Sequence, residues 1–176
     1  MKGLVPVLLV IAGLAFSVPV EVLQNGDFET GVLTPWTTNN WVISTTDPHA
    51  GTYCAFDEGN YWIRQDFNPI DVSKVVSVTF WHRQPEVTIF SVEFYYGPSD
   101  YDFNLIYTQG PDWIQYDVTY MLRPAGNLQA IRIWGYSGGG PDPDYNYLDD
   151  VSIMYDEDIA LERTTFGAIK AMFGTY

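Results

Sequence analysis

The run Val75-Val76-Ser77-Val78-Thr79-Phe80-Trp81 decides the fold class by its alternation. Val76, Val78 and Phe80 fall on one side of an extended chain, and Ser77, Thr79 and Trp81 on the other, because successive side chains of a strand point to opposite faces. β-branched and aromatic residues of this kind suit a half-buried pleated surface. The same texture recurs outward from it, at 87–95, 113–121, 130–136 and 147–155, and in shorter form at 20–23, 41–45, 52–56 and 61–67. Turn-forming clusters separate these runs, among them Asp47-Pro48-His49-Ala50-Gly51, Gly97-Pro98-Ser99-Asp100, Arg123-Pro124-Ala125-Gly126-Asn127 and the Gly/Pro-rich stretch 137–144. Many short strands with regular breaks predict an all-β fold, an antiparallel two-sheet jelly-roll sandwich.

Alternation also assigns faces to three unusual pairs. Trp62 and Arg64, Trp81 and Arg83, and Arg132 and Trp134 are each two residues apart, and together they use three of the five arginines in the chain. The core parities set by Ile63 and Phe67, by Val78 and Phe80, and by Ile131 and Ile133 send all three pairs outward. A ring beside a planar, permanently charged donor suits a sugar, which has an apolar face and a rim of hydroxyls. The same pairs also serve as cation–π decoration of a sheet, worth about 0.5–1 kcal/mol per exposed contact. The jelly roll leaves sheet membership open. The expectation is that Trp81/Arg83 and Arg132/Trp134 share one surface, extended by Tyr136 and, if their strand is adjacent, by Glu93 and Tyr95. Trp62 and Arg64 are further ligand-binding candidates, joining this surface only if their strand does not belong to the other sheet.

Length and charge narrow the function. The 176 residues suit one domain with a substantial core. Lys2 followed by the apolar run 3–16 and Ala15-Phe16-Ser17 reads as a secretory signal peptide over 1–17, too short for a membrane span of about 20 residues. The mature protein is therefore expected to be secreted, extracellular or at the cell surface, with no membrane span. A net charge of −14 makes nucleic acid a poor partner, since binding its phosphates draws on clustered lysine and arginine. The single cysteine, Cys54, excludes an internal disulfide framework and reads as a buried small hydrophobe.

Two motifs at opposite ends of the domain carry a family resemblance. Asn25-Gly26-Asp27-Phe28-Glu29-Thr30-Gly31, with Pro35-Trp36 after it, stands near the start, and Tyr147-Leu148-Asp149-Asp150-Val151-Ser152-Ile153 near the end. With His49-Ala50-Gly51-Thr52-Tyr53 and Gln65 between them, the domain over 18–155 resembles the galactose-binding-like jelly-roll carbohydrate-binding modules, similar to families 4, 9 and 22. The resemblance implies a structural calcium joining the first strand to the last, with Glu29 and Asp149 as ligands, Asp27 and Asp150 as weaker candidates, and carbonyls of the 47–51 loop completing the shell. Calcium takes six to eight oxygens, which suits these residues. Asp149, placed by simple alternation on the side of Val151 and Ile153, would need a cation or donors. Turn capping by the same carboxylates is the competing reading. The resemblance further implies a polysaccharide or glycan ligand, held in a groove on one sheet or by end loops carrying Tyr101, Asp102, Trp113 and Tyr145. Phe28, Phe56, Phe67, Phe80 and Phe94 are expected in the core.

Catalysis is not expected. The two histidines, His49 in a turn and His82 on core parity, form no metal-binding pair, and no Gly-x-Ser-x-Gly element occurs. A different class remains open through 156–176, an acidic linker followed by Phe166, Ile169 and Phe173 at helical spacing. A short amphipathic helix there would pack on the sandwich or serve as a sorting or docking tail. In the second case the chain would be an extracellular structural or surface-assembly subunit, with the Trp/Arg pairs as a protein interface.

Overall fold

A computed structural model describes residues 17–84, 89–107, 110–135 and 145–158. The expected signal peptide, Tyr136 and the C-terminal helix lie outside these residues. The described chain forms eleven strands: β1 (Val20–Glu21), β2 (Thr37–Thr38), β3 (Val42–Ser44), β4 (Cys54–Glu58), β5 (Trp62–Asp71), β6 (Val75–Arg83), β7 (Ile89–Tyr95), β8 (Tyr101–Tyr107), β9 (Ile114–Asp117), β10 (Asn127–Gly135) and β11 (Tyr145–Tyr155). They make two antiparallel sheets. One runs β3-β4-β11-β6-β9 with β1 added to the end of β11, and the other runs β2-β5-β10-β7-β8. The two-sheet sandwich expected from the sequence is the fold found.

The core follows the alternation. Val78 and Phe80 of the first sheet meet Ile63, Phe90, Val92, Phe94, Ile131 and Ile133 of the second, all with zero exposure. Phe28 and Trp36 are buried with them, and Trp36 Nε1 donates to Asn25 O. Cys54 is buried, and burial pushes its thiol up to about 12, which leaves it inert as a nucleophile. His82 is buried as its parity indicates, yet it stacks on Phe90, with centroids 4.3 Å apart. Burial pushes its pKa down to about 3, so it stays neutral.

Two assignments need correction. Phe56 is half-buried on the outer face of β4, stacking with Tyr147 and Tyr145, while Ala55 and Asp57 point inward. The apolar run 54–56 gives no parity of its own, and the inward polar residue hid it. Phe67 likewise lies at the margin of the core, partly buried. β8 was also not expected from sequence. Its apolar residues Tyr101, Phe103, Leu105 and Tyr107 are all exposed, and only Ile106 reaches the core, so it lacks the usual inward apolar face.

The first family motif is organised by its backbone. Asn25, at φ 52°, donates from Nδ2 to Val32 O and accepts from Thr30 N, closing the loop on itself. Gly26 O accepts from Val151 N at 2.9 Å, and a Cβ at Gly26 would stand 1.9 Å from Val151 O. Gly26→Ala is therefore expected to destabilise the domain by about 3 kcal/mol, the upper range for overpacking, because backbone rather than a flexible side chain must yield. A thermal melt checks it; an unchanged midpoint would mean the two segments separate freely.

Candidate functional site

The site is built on the outer face of the second sheet. β5, β10 and β7 are adjacent, and their register sets residues side by side: Trp62 beside Trp134, and Arg64 beside Arg132, which in turn faces Glu93. β8 extends the rows, with Phe103 beside Glu93 and Leu105 beside Ser91. The outward parity read for the pairs on β5 and β10 holds, since Ile63, Ile131 and Ile133 are fully buried between them. The result is a face with two half-buried indoles, two guanidiniums, and the exposed rings Tyr101 and Phe103 with Leu105 at its β8 side.

Charge is balanced within it. Arg132 donates Nε–H to Glu93 Oε2 at 2.9 Å and pairs with the same oxygen through a second nitrogen. Arg64 forms a two-point pair with Asp66, Nε to Oδ2 at 3.0 Å. Glu93 and Tyr95 form the floor: they are 2% and 4% exposed, and Tyr95 O–H donates to Glu93 Oε2 at 2.7 Å. Tyr95 is held between the Tyr101 ring, 5.0 Å away, and the Arg64 guanidinium, 4.0 Å from its centroid. Burial, then the bond to Glu93, pushes its hydroxyl up to about 12, so it stays a neutral donor. Arg132 lies over Trp134 and Trp62 as well, at 5.1 and 5.9 Å. The arginines thus fill the space between the rings and hold them in place.

Trp81 and Arg83 are elsewhere. They sit on β6, in the first sheet, so the surface expected to join them with Arg132/Trp134 does not exist, and Trp62/Arg64 is the true neighbour of that pair. Strands β4 to β7 alternate between the sheets, and face parity alone carries no information on which sheet a strand joins. Trp81 is moreover covered: His49 stacks on it at 3.7 Å and 16°. Arg83 pairs with Asp47 and lies 4.1 Å from the Tyr147 centroid, while Trp113 Nε1 donates to Asp47 O. These contacts fasten the 47–53 loop to the first sheet. Of the end-loop candidates, Trp113 and Tyr145 belong to this second cluster, Asp102 is paired with Arg123, and Tyr101 joins the face on the second sheet.

The four candidate metal ligands gather near the same loop, but not in the way simple alternation predicts. The β6–β11 register slips between Asp149 and Ser152, with Asp150 at φ 47°. This bulge resets the alternation, so Asp149 lies opposite to the side of Val151 and Ile153. Its fully buried carboxylate accepts from the amides of His49, Ala50 and Asp150, at 3.0, 3.3 and 2.8 Å, and burial pushes it up to about 6. Glu29 Oε1 accepts from Thr52 N and Tyr53 N, both at 2.8 Å. Its carboxyl lies where a Cβ on Gly51 would be, 2.4 Å from that point, and Gly51 has φ 62°. Asp150 Oδ2 is 2.7 Å from His49 Nδ1, and Asp27 Oδ1 accepts from Glu29 N at 3.3 Å. Glu29 and Asp149 therefore reach the same loop backbone from opposite ends of the chain. Among the described residues no group of three or more His, Cys, Asp or Glu side chains surrounds a common point.

Comparison with known proteins agrees on the fold. No family model matches the chain, and no curated protein matches it. Solved structures do. A family 61 carbohydrate-binding module in complex with β-1,4-galactotriose superposes with TM-score 0.60 at 16% identity, over 78% of this chain and 99% of that one. A family 16 module, carbohydrate-binding module 2, gives TM-score 0.56 at 13% identity, over 75% and 98%. A family 11 module from Clostridium thermocellum, in complex with a β-1,3-1,4-mixed-linked tetrasaccharide, gives 0.52 at 11% identity, over 78% and 96%.

Proposed function

We propose that the chain, whose sandwich has the fold of carbohydrate-binding modules, is a secreted, non-catalytic module that holds a neutral polysaccharide on the outer face of its second sheet. One observation carries this reading: Trp62 and Trp134 lie in register on adjacent strands, flanked on the same face by Arg64 and Arg132. Indoles offer apolar surface to a pyranose ring, and the guanidiniums, already oriented by Asp66 and Glu93, offer donors to its hydroxyls. Because each arginine is matched by a carboxylate, the face presents no net positive charge. The chain's net −14 further disfavours uronic-acid polymers. Two of the modules it resembles were solved with β-linked oligosaccharides, one of them β-1,4-galactotriose, which supports the same class. A glycan array probed with the full chain tests the proposal. Binding to neutral polysaccharides is expected, and absence of binding to every neutral glycan at millimolar concentration would end it.

A structural calcium belongs to the same proposal. Glu29 and Asp149, whose carboxylates accept from amides of the 49–53 loop, would supply the oxygens of the hard type that calcium takes. Asp150 is engaged with His49 and Asp27 with a turn amide, which leaves them as outer partners. Held by Glu29 and Asp149, such an ion would offset the Asp149 charge and tie the first motif to β11. With calcium at about 100 times its Kd, chelation is expected to remove about 2.7 kcal/mol, roughly 5–10 °C of melting temperature. A melting curve unmoved by chelator would contradict it.

A further inference from the structure

One end of the sandwich interior is polar and is wired to the proposed binding face. Asp57 of β4 and Asn146 of β11 are in register, face inward and are 1% and 0% exposed. Asn146 Nδ2 donates to Gly59 O at 3.3 Å and to Asp57 Oδ2 at 3.5 Å, while Asp57 Oδ1 is buried without a hydrogen-bond partner among the described residues. From the opposite sheet Gly135 closes on Asn146 so tightly that a Cβ would stand 2.4 Å from Nδ2. Gly135 N and Trp41 Nε1 both donate to Tyr61 O. The turn 58–61 is therefore gripped from inside at each of these points. On its outer side, Asn60 Oδ1 accepts from Trp134 Nε1 at 2.8 Å, and Trp62 follows the turn directly.

We infer that this turn couples the buried Asp57 to the aromatic face: Asp57 and Asn60 are positioning residues that set the Trp134 indole, and protonation of Asp57 shifts it. The inference rests on the glycan reading only for the consequence of that shift. An ionised Asp57 accepts from Asn146 Nδ2 through a charge-assisted bond, roughly twice as strong as a neutral one, and the Asn146 amide so held also donates to Gly59 O in the turn. Protonation weakens that grip. Burial, which comes first, and the neighbouring Glu58 charge raise the Asp57 pKa to about 6. Facing it beyond Asn146, His82 of β6 is held neutral by burial, with its pKa near 3. Tyr145 stands opposite Glu58 on β11, and among the described residues no lysine or arginine acts on Asp57. The turn is thus held at neutral pH and released as pH falls through about 6.

Indole N–H resonances of the ¹⁵N-labelled full chain, followed from pH 7.5 to 5, test this. The Trp134 resonance is expected to titrate with a midpoint near 6 in the parent protein and to stay flat in Asp57→Asn. In Asn60→Ala it is expected to stay flat while the Asp57 carboxyl carbon still titrates, a result that decides the matter even if Asp57→Asn fails to fold. A Trp134 resonance that is flat in the parent, or that titrates unchanged in either variant, would overturn the coupling. No sugar enters these measurements. Titration of Trp134 in a protein that binds no glycan would leave the coupling standing and sink the proposed function, and the reverse result would do the opposite.

Discussion

Replacing Trp62 and Trp134 together with alanine is expected to lower glycan affinity by about two to three orders of magnitude, from roughly 2 kcal/mol for each well-packed aromatic anchor. Each single variant should cost about thirtyfold on the same scale. The two are adjacent and share Arg132, so their effects should not add cleanly. Trp81→Ala is the matched control. It removes a tryptophan of the opposite sheet that is stacked beneath His49, so it should weaken the seating of the 47–53 loop and leave affinity within about twofold. Calorimetric titration of the four variants reads both outcomes. Equal losses from Trp81→Ala and Trp134→Ala would place the ligand elsewhere.

Arg132→Ala should produce the largest loss of stability among changes to the proposed binding face. Glu93 is 2% exposed and its partner side chain 19%, so removing the guanidinium leaves a desolvated carboxylate with, among the described residues, only the Tyr95 hydroxyl. Breaking a buried pair from one side costs about 3–5 kcal/mol, which is on the order of 10 °C in a domain of this size. The equivalent change at Arg64 should cost only about 0–1 kcal/mol, since its partner Asp66 is 61% exposed. Arg132→Lys restores the charge without the two-point geometry and should fall between. Comparing melting temperatures of the three variants checks the order. If Arg64→Ala proved the more damaging, the weight given to burial of Glu93 would be wrong.

Much of this architecture was legible in the chain. Local alternation around Phe80, Ile63 and Ile133 is a property of each strand by itself, so outward placement of the Trp/Arg pairs came out as the structure has it. What joined them did not. Whether Trp81 or Trp62 is the neighbour of Trp134 depends on strand order, which arises from long-range pairing and leaves no trace in the spacing of residues. Asp149 was misplaced because a bulge at Asp150 shifts the alternation within β11, and its positive φ falls on an aspartate rather than on a telltale glycine. The contribution of β8 was missed because its apolar residues face outward, although Tyr101, Phe103, Leu105 and Tyr107 do alternate. That outward pattern was itself a signal for a binding face. Glu93 and Tyr95 lie on the same face as Arg64 and Arg132, as expected of an adjacent strand, but buried as its floor rather than exposed.

The central claim is the location of the ligand, and a single titration addresses it. Indole N–H signals of the ¹⁵N-labelled full chain are followed as a neutral β-linked oligosaccharide that binds it is added. The Trp62 and Trp134 resonances are expected to shift and saturate together, while those of Trp81 and Trp113 on the opposite sheet stay in place. Saturating shifts at Trp81 and Trp113, with Trp62 and Trp134 unmoved, would contradict the account.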